Sequence, residues 1–254
     1  MQAAKEQLIV PALSNAEEKV WFSLIIPTYN ERENLSALLT QITRALSVAY
    51  DGRYEIIIVD DDSPDGTGNE ARRLNDQYPQ LKVISRTAER GLATAVIRGW
   101  QQASGSVLGV IDADLQHPPM RLVDLLSAIE RGADLAIASR YIEQGSTGDW
   151  GVIRRTLSNG AGMLAACLLP EVVGHVKDPL SGYFVVRRTA LEGVALHPQG
   201  YKILLEVLVR GRAKHVVEIP FDFALRQHGQ TKATFKQGWE YILHLLSLRW
   251  FLWQ

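Results

Sequence analysis

Tyr54-Glu-Ile-Ile-Ile-Val-Asp-Asp-Asp62 joins a near-continuous apolar run to three consecutive carboxylates, with Ser63-Pro-Asp-Gly66 directly behind them. Short runs rich in Ile and Val and bounded by polar turns read as strands buried on both faces. Phe22–Pro27, Leu81–Ser85, Val107–Ile111 and Leu135–Ser139 share the character of Tyr54–Val59. Between them, Leu35–Val48, Asn69–Gln77, Leu92–Ala103 and Pro119–Glu130 show helical spacing. In the last, Leu122, Leu125, Leu126 and Ile129 share a face, and Pro118 and Pro119 stand at its start, where a missing N–H does little harm. Strand–helix alternation of this kind predicts a mostly parallel sheet covered by helices on both sides. Ligands of such sheets bind beyond the carboxyl ends of the strands, so the polar residues that follow each strand are where function is expected.

The second half is less regular. Tyr141–Val152 reads as irregular, followed by helix Arg154–Leu169, strand Tyr183–Arg187, helix Ile203–Arg212, strand His215–Ile219 and an apolar helix near Gly238–Phe251. Residues 1–20 are polar and aperiodic and read as an extension. The resulting division is 1–21 extension, 22–234 main domain, 235–254 C-terminal helix.

Composition narrows the class. The 254 residues are 46% hydrophobic and 22% charged, which excludes wholesale disorder, and a net charge of −1 argues against nucleic-acid binding. The balance is uneven: residues 176–254 hold 11 basic and 6 acidic side chains, leaving the preceding part net acidic. An acidic body with a basic last third suits a metal site facing anion-binding groups. Cys167 is the single cysteine, so an internal disulfide and a thiolate zinc cluster are both excluded; its surroundings predict a small core residue. The N-terminus lacks the features of a signal peptide, and no stretch reaches the ~18 apolar residues that span a bilayer, so the chain reads as cytoplasmic.

Three adjacent like charges repel, so Asp60, Asp61 and Asp62 call for compensation by N–H donors, a basic side chain or a ligand. A turn and helix cap accounts for Asp62, Ser63 and Asp65 as readily as a ligand does, whereas Asp61 is placed to accept from a base N–H. The second acidic end is Val107-Leu-Gly-Val-Ile-Asp112-Ala-Asp114-Leu-Gln116-His117. In extended backbone, alternate residues project to one side, so Asp112 and Asp114 are expected to converge on a hard divalent cation, with Gln116 adding a neutral oxygen. Mg²⁺ or Mn²⁺ held by one or two carboxylates, water and substrate phosphate is the usual arrangement. His117 reads as a helix-start residue in preference to a ligand.

Ile25-Ile-Pro27-Thr-Tyr29-Asn30-Glu31-Arg-Glu-Asn34, Val59-Asp-Asp-Asp-Ser-Pro-Asp-Gly66, Gly91-Leu-Ala-Thr-Ala-Val-Ile-Arg-Gly99 and Asp112-Ala-Asp-Leu-Gln-His-Pro118 occur in this order. They are followed by Ala138-Ser-Arg-Tyr141, Lys177-Asp-Pro-Leu-Ser-Gly182 and Gly229-Gln-Thr-Lys232. The ordered set, from about Phe22 to Tyr241, resembles family-2 glycosyltransferases, and within them the dolichol-phosphate mannose synthases and related polyprenyl-phosphate glycosyltransferases. The resemblance implies a GT-A fold, α/β with a Rossmann-like sheet and a C-terminal acceptor-side extension. By similarity, Pro27, Tyr29 and Glu31 would line a nucleoside pocket, with Val59 and Asp61 against the base. Asp112, Ala113, Asp114 and Gln116 would match the metal and diphosphate site. Arg140, Arg154, Lys202, Arg226 and Lys232 would correspond to cationic groups around the donor diphosphate and acceptor phosphate. The implied substrates are a nucleotide sugar, GDP-mannose ahead of UDP-glucose, and a polyprenyl or dolichyl phosphate. Three departures stand out: Ala138 where the family more often has glycine, Thr231-Lys-Ala233 in place of Ser-Lys-Leu, and the end of the given sequence at Gln254, where many relatives continue into membrane helices.

An ionised phosphate needs no base to take its proton, so the branch implies a basic acceptor pocket without an essential general base. Asp112, Asp114 and Arg140 then act by charge stabilisation. Arg187, Arg188, Arg210, Arg212 and Lys214 read as solvated surface. A sugar-hydroxyl acceptor, the enzymatic alternative, would need a carboxylate base, and Asp178 and Glu206 are the candidates. The non-enzymatic alternative is a receiver-like or nucleotide-sensing module, which would leave half the chain unexplained. The aromatic-rich stretch Trp239–Trp253 fits two arrangements: lying on a membrane or docking to a membrane subunit, and packing on the protein's own core.

Overall fold

The structure is a computed structural model that describes residues 8–13, 20–148, 152–224 and 235–254. After a two-residue strand β1 (Leu8–Ile9), the chain alternates β2 (Phe22–Thr28), α1 (Arg32–Leu46), β3 (Tyr54–Asp60), α2 (Thr67–Asn75), β4 (Leu81–Ser85), α3 (Leu92–Gln102), β5 (Val107–Val110), α4 (Arg121–Glu130) and β6 (Leu135–Ser139). Two helices, α5 (Val152–Leu168) and α6 (Pro170–Val173), precede β7 (Phe184–Arg187) and β8 (Ala195–Leu196). Then come α7 (Ile203–Arg210), β9 (Val216–Pro220) and α8 (Phe235–Leu252). Among the described residues every expected strand and helix is present, with small shifts at the ends.

Seven strands form one sheet in the order β4-β3-β2-β5-β7-β6-β9. All neighbouring pairs are parallel except those of β7, which runs antiparallel to both β5 and β6. This arrangement sets the location of the site. The carboxyl ends of β2, β3, β5 and β6 lie along one edge, and the reversal of β7 brings its leading segment, Lys177–Tyr183, to that same edge. β2 and β3 are buried over their whole lengths, as expected for strands covered on both faces. One face packs on α1, α2 and α4 through Ile26, Leu35, Ile58 and Leu126. The other packs on α3 and α7 through Ile25, Ile57, Trp100 and Ile203.

Within the N-terminal extension, β1 pairs antiparallel with β8, and Val10 is fully buried. Expectations for four residues are revised. Arg188 is not surface but buried, donating to the carbonyls of Gly105, Ala103 and Pro11. Arg187 likewise donates to Ala133 and Ile129, and the Arg210 side chain is buried against Glu206, whereas Arg212 and Lys214 are exposed as expected. Cys167 is exposed. It stands two residues from the buried Ala165, about 200° round the helix and so on the opposite face of α5.

The C-terminal helix packs on the protein's own core by one face and leaves a second apolar face exposed. Tyr241, His244, Leu245 and Leu248 are buried against α5, α6 and α7, at a spacing that traces one face. Trp239, Ile242, Leu243, Leu246, Trp250 and Trp253 lie away from it and are exposed, Trp250 to 64% and Trp253 to 70%. Among the described residues no helix is long and apolar enough to cross a membrane.

Candidate active site

The three carboxylates behind β3 have separate partners. Asp60 accepts from Thr28 Oγ1 at 3.2 Å and from Ser63 N and Oγ at 3.2 and 2.5 Å, so it ties the β2 and β3 ends together. Asp61 is buried, accepting from Arg86 through Nε at 2.7 Å and through Nη2, and from Gly91 N at 2.7 Å. The N-terminal turn of α3 therefore closes over it, which uses the φ of +127° that Gly91 adopts without strain. Asp62 is exposed and lies 3.7 Å from Arg90, while Asp65 closes the turn before α2, accepting from Thr67 N at 2.9 Å. The turn reading thus holds for Asp65, and the cap position itself is Gly66. Three donors leave about one of the four carboxylate lone-pair sites of Asp61 for a base N–H. Arg86 was missed at the sequence level, although it follows strand β4 and the strand-end rule points to it.

Around this corner, Pro27 and Val59 are paired in register on β2 and β3, and the Val59 side chain is fully buried against α3. Tyr29 is half-buried with the Arg90 guanidinium 5.7 Å from its ring centre. Glu31 is buried, with its carboxylate accepting from Asn34 Nδ2 at 2.8 Å.

The second acidic end differs from a pleated strand. β5 stops at Val110, and Asp112–Leu115 form a turn in which Leu115 has φ +61°. The positions of Asp112 and Asp114 are therefore set by the turn, not by strand alternation. Asp114 Oδ1 accepts from Gln116 N at 3.1 Å. Ala113 is buried beneath the turn in the core. Gln116 is buried too; its Nε2 donates to Ala224 O at 3.0 Å and its backbone carbonyl accepts from Ala224 N at 2.9 Å. This clamps the acidic turn to the residue that leads into 225–234. His117 does not start a helix, since α4 begins at Arg121. It is fully enclosed, and burial, with the charges of Arg140 and Lys202 nearby, drops its pKa to about 3, so the ring is neutral.

The cation-binding test rests on the donor set and on space. Two carboxylates with a neighbouring amide suit Mg²⁺ or Mn²⁺, whose remaining positions go to water and phosphate. Among the described residues no cluster of three or more His, Cys, Asp or Glu forms a complete protein cage. Gly182 packs against Asp112, where an added Cβ would lie 2.7 Å from Oδ2, so the backbone leaves room for that carboxylate alone. The residues fit the ion.

Arg140 follows β6 and is buried. Its Nε and Nη2 donate to Asp178 Oδ2 and Oδ1 at 2.8 and 2.7 Å, and its backbone N to Oδ2 at 3.0 Å. Burial opposes its charge, but hydrogen bonds and attraction to Asp178 outweigh that and raise its pKa above the ordinary value. Tyr141 and Phe223 flank the guanidinium at 5.3 and 5.4 Å. Lys202 stands at the N-terminus of α7, its Nζ donating to Leu180 O at 3.1 Å. Arg154 lies on the first turn of α5, but its side chain, like Arg226 and Lys232 entirely, falls outside the described residues.

Both candidate bases are held in buried ion pairs. Asp178 is committed to Arg140 on both oxygens. Glu206 is buried between His244 at 2.8 Å and Arg210 at 3.0 Å, and it also accepts from His197 N. It holds α7 to α8 and does not face the sheet edge as a base. A cavity of about 480 Å³ opens beside Asp178, lined by Tyr141, Met163, Ala166, Val176 and Leu180 among others.

Residues 23–194 match the model of glycosyl transferase family 2. The chain belongs to that family. It is 48% identical over 226 residues to a dolichol-phosphate mannosyltransferase of Pyrococcus furiosus, a match covering 89% of this chain and 63% of that protein. The chain thus spans less than two thirds of that relative's length. A dolichol-phosphate mannosyltransferase of Saccharomyces cerevisiae is 34% identical, covering 89% of this chain and 86% of that one. A polyprenol monophosphomannose synthase of Mycolicibacterium smegmatis is 38% identical, covering 82% and 79%. Among solved structures, glucosyl-3-phosphoglycerate synthase from Mycobacterium tuberculosis superposes with a TM-score of 0.68 at 22% identity, covering 91% of this chain and 80% of that one. That likeness establishes the GT-A type of fold.

Proposed function

We propose that this chain transfers mannose from GDP-mannose to a polyprenyl or dolichyl phosphate, with inversion at the anomeric carbon. The names of the relatives support the mannosyl and polyprenyl-phosphate parts of this reading. The C1–oxygen bond to the donor diphosphate breaks, its electron pair leaves with the nucleoside diphosphate, and an acceptor phosphate oxygen bonds C1 from the opposite side. No proton needs to be removed from an ionised phosphate, and the observation that carries the reading is the commitment of Asp178, the best-placed carboxylate, to Arg140. A sugar-hydroxyl acceptor loses its base on the same observation.

Asp112 and Asp114, with Gln116 beside them, would hold Mg²⁺ or Mn²⁺, which supplies charge neutralisation to the departing diphosphate. A Mn²⁺ complex of the mycobacterial glucosyl-3-phosphoglycerate synthase supports that choice of ion. Pro27, Tyr29, Glu31, Val59 and Asp61 form the nucleoside corner, Ala113 sits under the diphosphate, and Arg140, Arg154, Lys202, Arg226 and Lys232 supply cationic charge. Arg forks and Lys point charges both grip phosphate.

The lipid part of the acceptor has two apolar surfaces to occupy in this reading. The apolar cavity next to Asp178 borders Met163 on α5, and the outer face of α8 exposes large apolar side chains from Trp239 to Trp253. Trp and Tyr favour the lipid–water boundary, so this face is assigned to the membrane surface that holds the acceptor. The deciding experiment incubates purified protein with labelled GDP-mannose or UDP-glucose, a short polyprenyl phosphate and Mn²⁺. Label entering the organic phase from GDP-mannose as a beta-linked product is expected. Transfer only to a free sugar hydroxyl, or an alpha-linked product, overturns the proposal.

A further inference from the structure

His117 is 3% exposed, its ring centre 5.3 Å from that of Tyr183, 5.5 Å from Phe221 and 5.3 Å from Phe223. Burying an imidazole among aromatic rings costs free energy that a phenylalanine there would not, because ring nitrogens give up water. The cost is visible: Nδ1 is buried with no hydrogen-bond partner. What it faces is Asp112 Oδ2, 3.6 Å away and just beyond hydrogen-bond range. On another side the same oxygen is bounded by Gly182, whose lack of a side chain gives the carboxylate its space.

We infer that His117 is a positioning residue for Asp112: its Nδ1–H donates to Oδ2 once the carboxylate engages a divalent cation, fixing the side chain so that its other oxygen is presented to the ion. A shift of roughly 0.5 Å in Asp112 closes the gap to an ordinary N–H···O distance. Carboxylates that ligate metals are commonly held by such outer hydrogen bonds, and their loss typically weakens binding about 10- to 100-fold. The aromatic rings keep the imidazole from following its partner into solvent. Because Phe221 and Phe223 bracket the ring and Ala224 is bonded to Gln116, the same segment fixes both the acidic turn and the donor that steadies it. This inference rests on the proposed role of Asp112 as a cation ligand.

The test measures Mn²⁺ binding, by electron paramagnetic resonance of the free ion at saturating GDP, together with thermal melts. His117→Phe keeps the ring packing and removes the donor; a loss of about tenfold or more in Mn²⁺ affinity is expected. His117→Asn carries an amide nitrogen near the Nδ1 position and restores most of that affinity, while His117→Gln, with its nitrogen near the Nε2 position, does not. The Asn–Gln contrast decides the matter even if the Phe variant fails to fold. Wild-type affinity in His117→Phe, or equal affinities in the Asn and Gln variants, overturns the inference. Asp112→Asn separates the two levels of the argument. If it loses Mn²⁺ while His117→Phe does not, only the positioning role falls; if it binds Mn²⁺ normally, the ligand role of Asp112 falls and the inference with it.

Discussion

Replacing Asp178 by asparagine tests whether that carboxylate is an anchor or a base. In the structure it receives three donors from Arg140, at 2.7, 2.8 and 3.0 Å, and the two side chains are 0% and 8% exposed. Asparagine keeps one acceptor but turns an amide N–H toward the guanidinium and leaves the buried positive charge without its counter-ion. Removing one partner of a buried pair costs about 3–5 kcal/mol. One acceptor survives, so the lower end applies, about 3 kcal/mol. A chain of this length loses roughly 2–4 °C of Tm per kcal/mol, so Asp178→Asn is expected to melt about 6–12 °C below wild type. Differential scanning calorimetry of Asp178→Asn, Arg140→Met and the double variant Arg140→Met/Asp178→Leu completes the cycle. With both charges gone, no desolvated ion remains unpaired, so the double variant is expected to be markedly more stable than the sum of the single losses implies. An Asp178→Asn protein that melts within about 2 °C of wild type (about 0.5–1 kcal/mol) yet transfers no sugar would refute the anchor argument and restore Asp178 as a base.

Gly182→Ala places a Cβ 2.7 Å from Asp112 Oδ2, and the side chain, not the backbone, must yield; weaker Mn²⁺ binding with an almost unchanged melt is the expected pattern in titration calorimetry. His117 is neutral when folded because burial lowers its pKa to about 3, whereas in the unfolded chain it titrates near 6.5. The unfolded state therefore binds the extra proton below that pH, and this residue's share of stability falls by up to ~1.4 kcal/mol per pH unit between about 6.5 and 3. Urea titrations in chelator should accordingly show a shallower acid loss in His117→Phe than in wild type; equal slopes would contradict it. At the end of α8, Trp250→Ser/Trp253→Ser should reduce partitioning onto phosphatidylcholine–phosphatidylglycerol vesicles at least about tenfold, since each large apolar side chain contributes ~1.5–3 kcal/mol when buried. Unchanged cosedimentation would remove the membrane assignment of that face. Arg188→Met abolishes three hydrogen bonds to buried carbonyls and should lower the melting temperature without altering nucleotide affinity.

The parallel sheet was legible because its strands are buried on both faces: Leu24, Ile25 and Ile26 on β2 and Ile56, Ile57, Ile58 and Val59 on β3 leave no room for a polar face. Strand direction was not. Tyr183–Arg187 reads as a strand from its composition, but its reversal depends on where the chain re-enters the sheet after α5 and α6, a long-range matter. That reversal delivers Asp178 and Gly182 to the same edge as Asp112 and Arg140. The pleat argument for Asp112 and Asp114 failed for a local reason: alternation holds only while the backbone stays extended, and β5 ends at Val110, with Ala113 and Asp114 already in the turn. Arg188 was misread because its partners are carbonyls of residues 11, 103 and 105, which no local pattern announces.

The same long-range pairing explains why a basic last third is compatible with a selective site. A buried cation with no fixed partner would seek any nearby carboxylate, including those proposed to hold a metal ion. Arg140 is instead fixed through three donors by Asp178, and Arg86 is held by Asp61 at the other corner. A neutral histidine is the neighbour of Asp112, and the charge of Arg140 acts on that carboxylate from a fixed position. Arg140 still presents its positive charge to the edge while its geometry is fixed by a partner deeper in the fold. Charge in this site is thus preorganised in pairs before any ligand arrives, which is what electrostatic stabilisation of a departing diphosphate requires. Deleting α8 from residue 242 onward would break this arrangement at a distance, because it removes Leu245, Leu248 and the His244 contact to Glu206 that seats α7, whose N-terminus carries Lys202. Substitutions confined to the outer face of α8 leave those contacts in place, so loss of vesicle binding in them, with nucleotide affinity retained, separates the membrane role of the helix from its structural one.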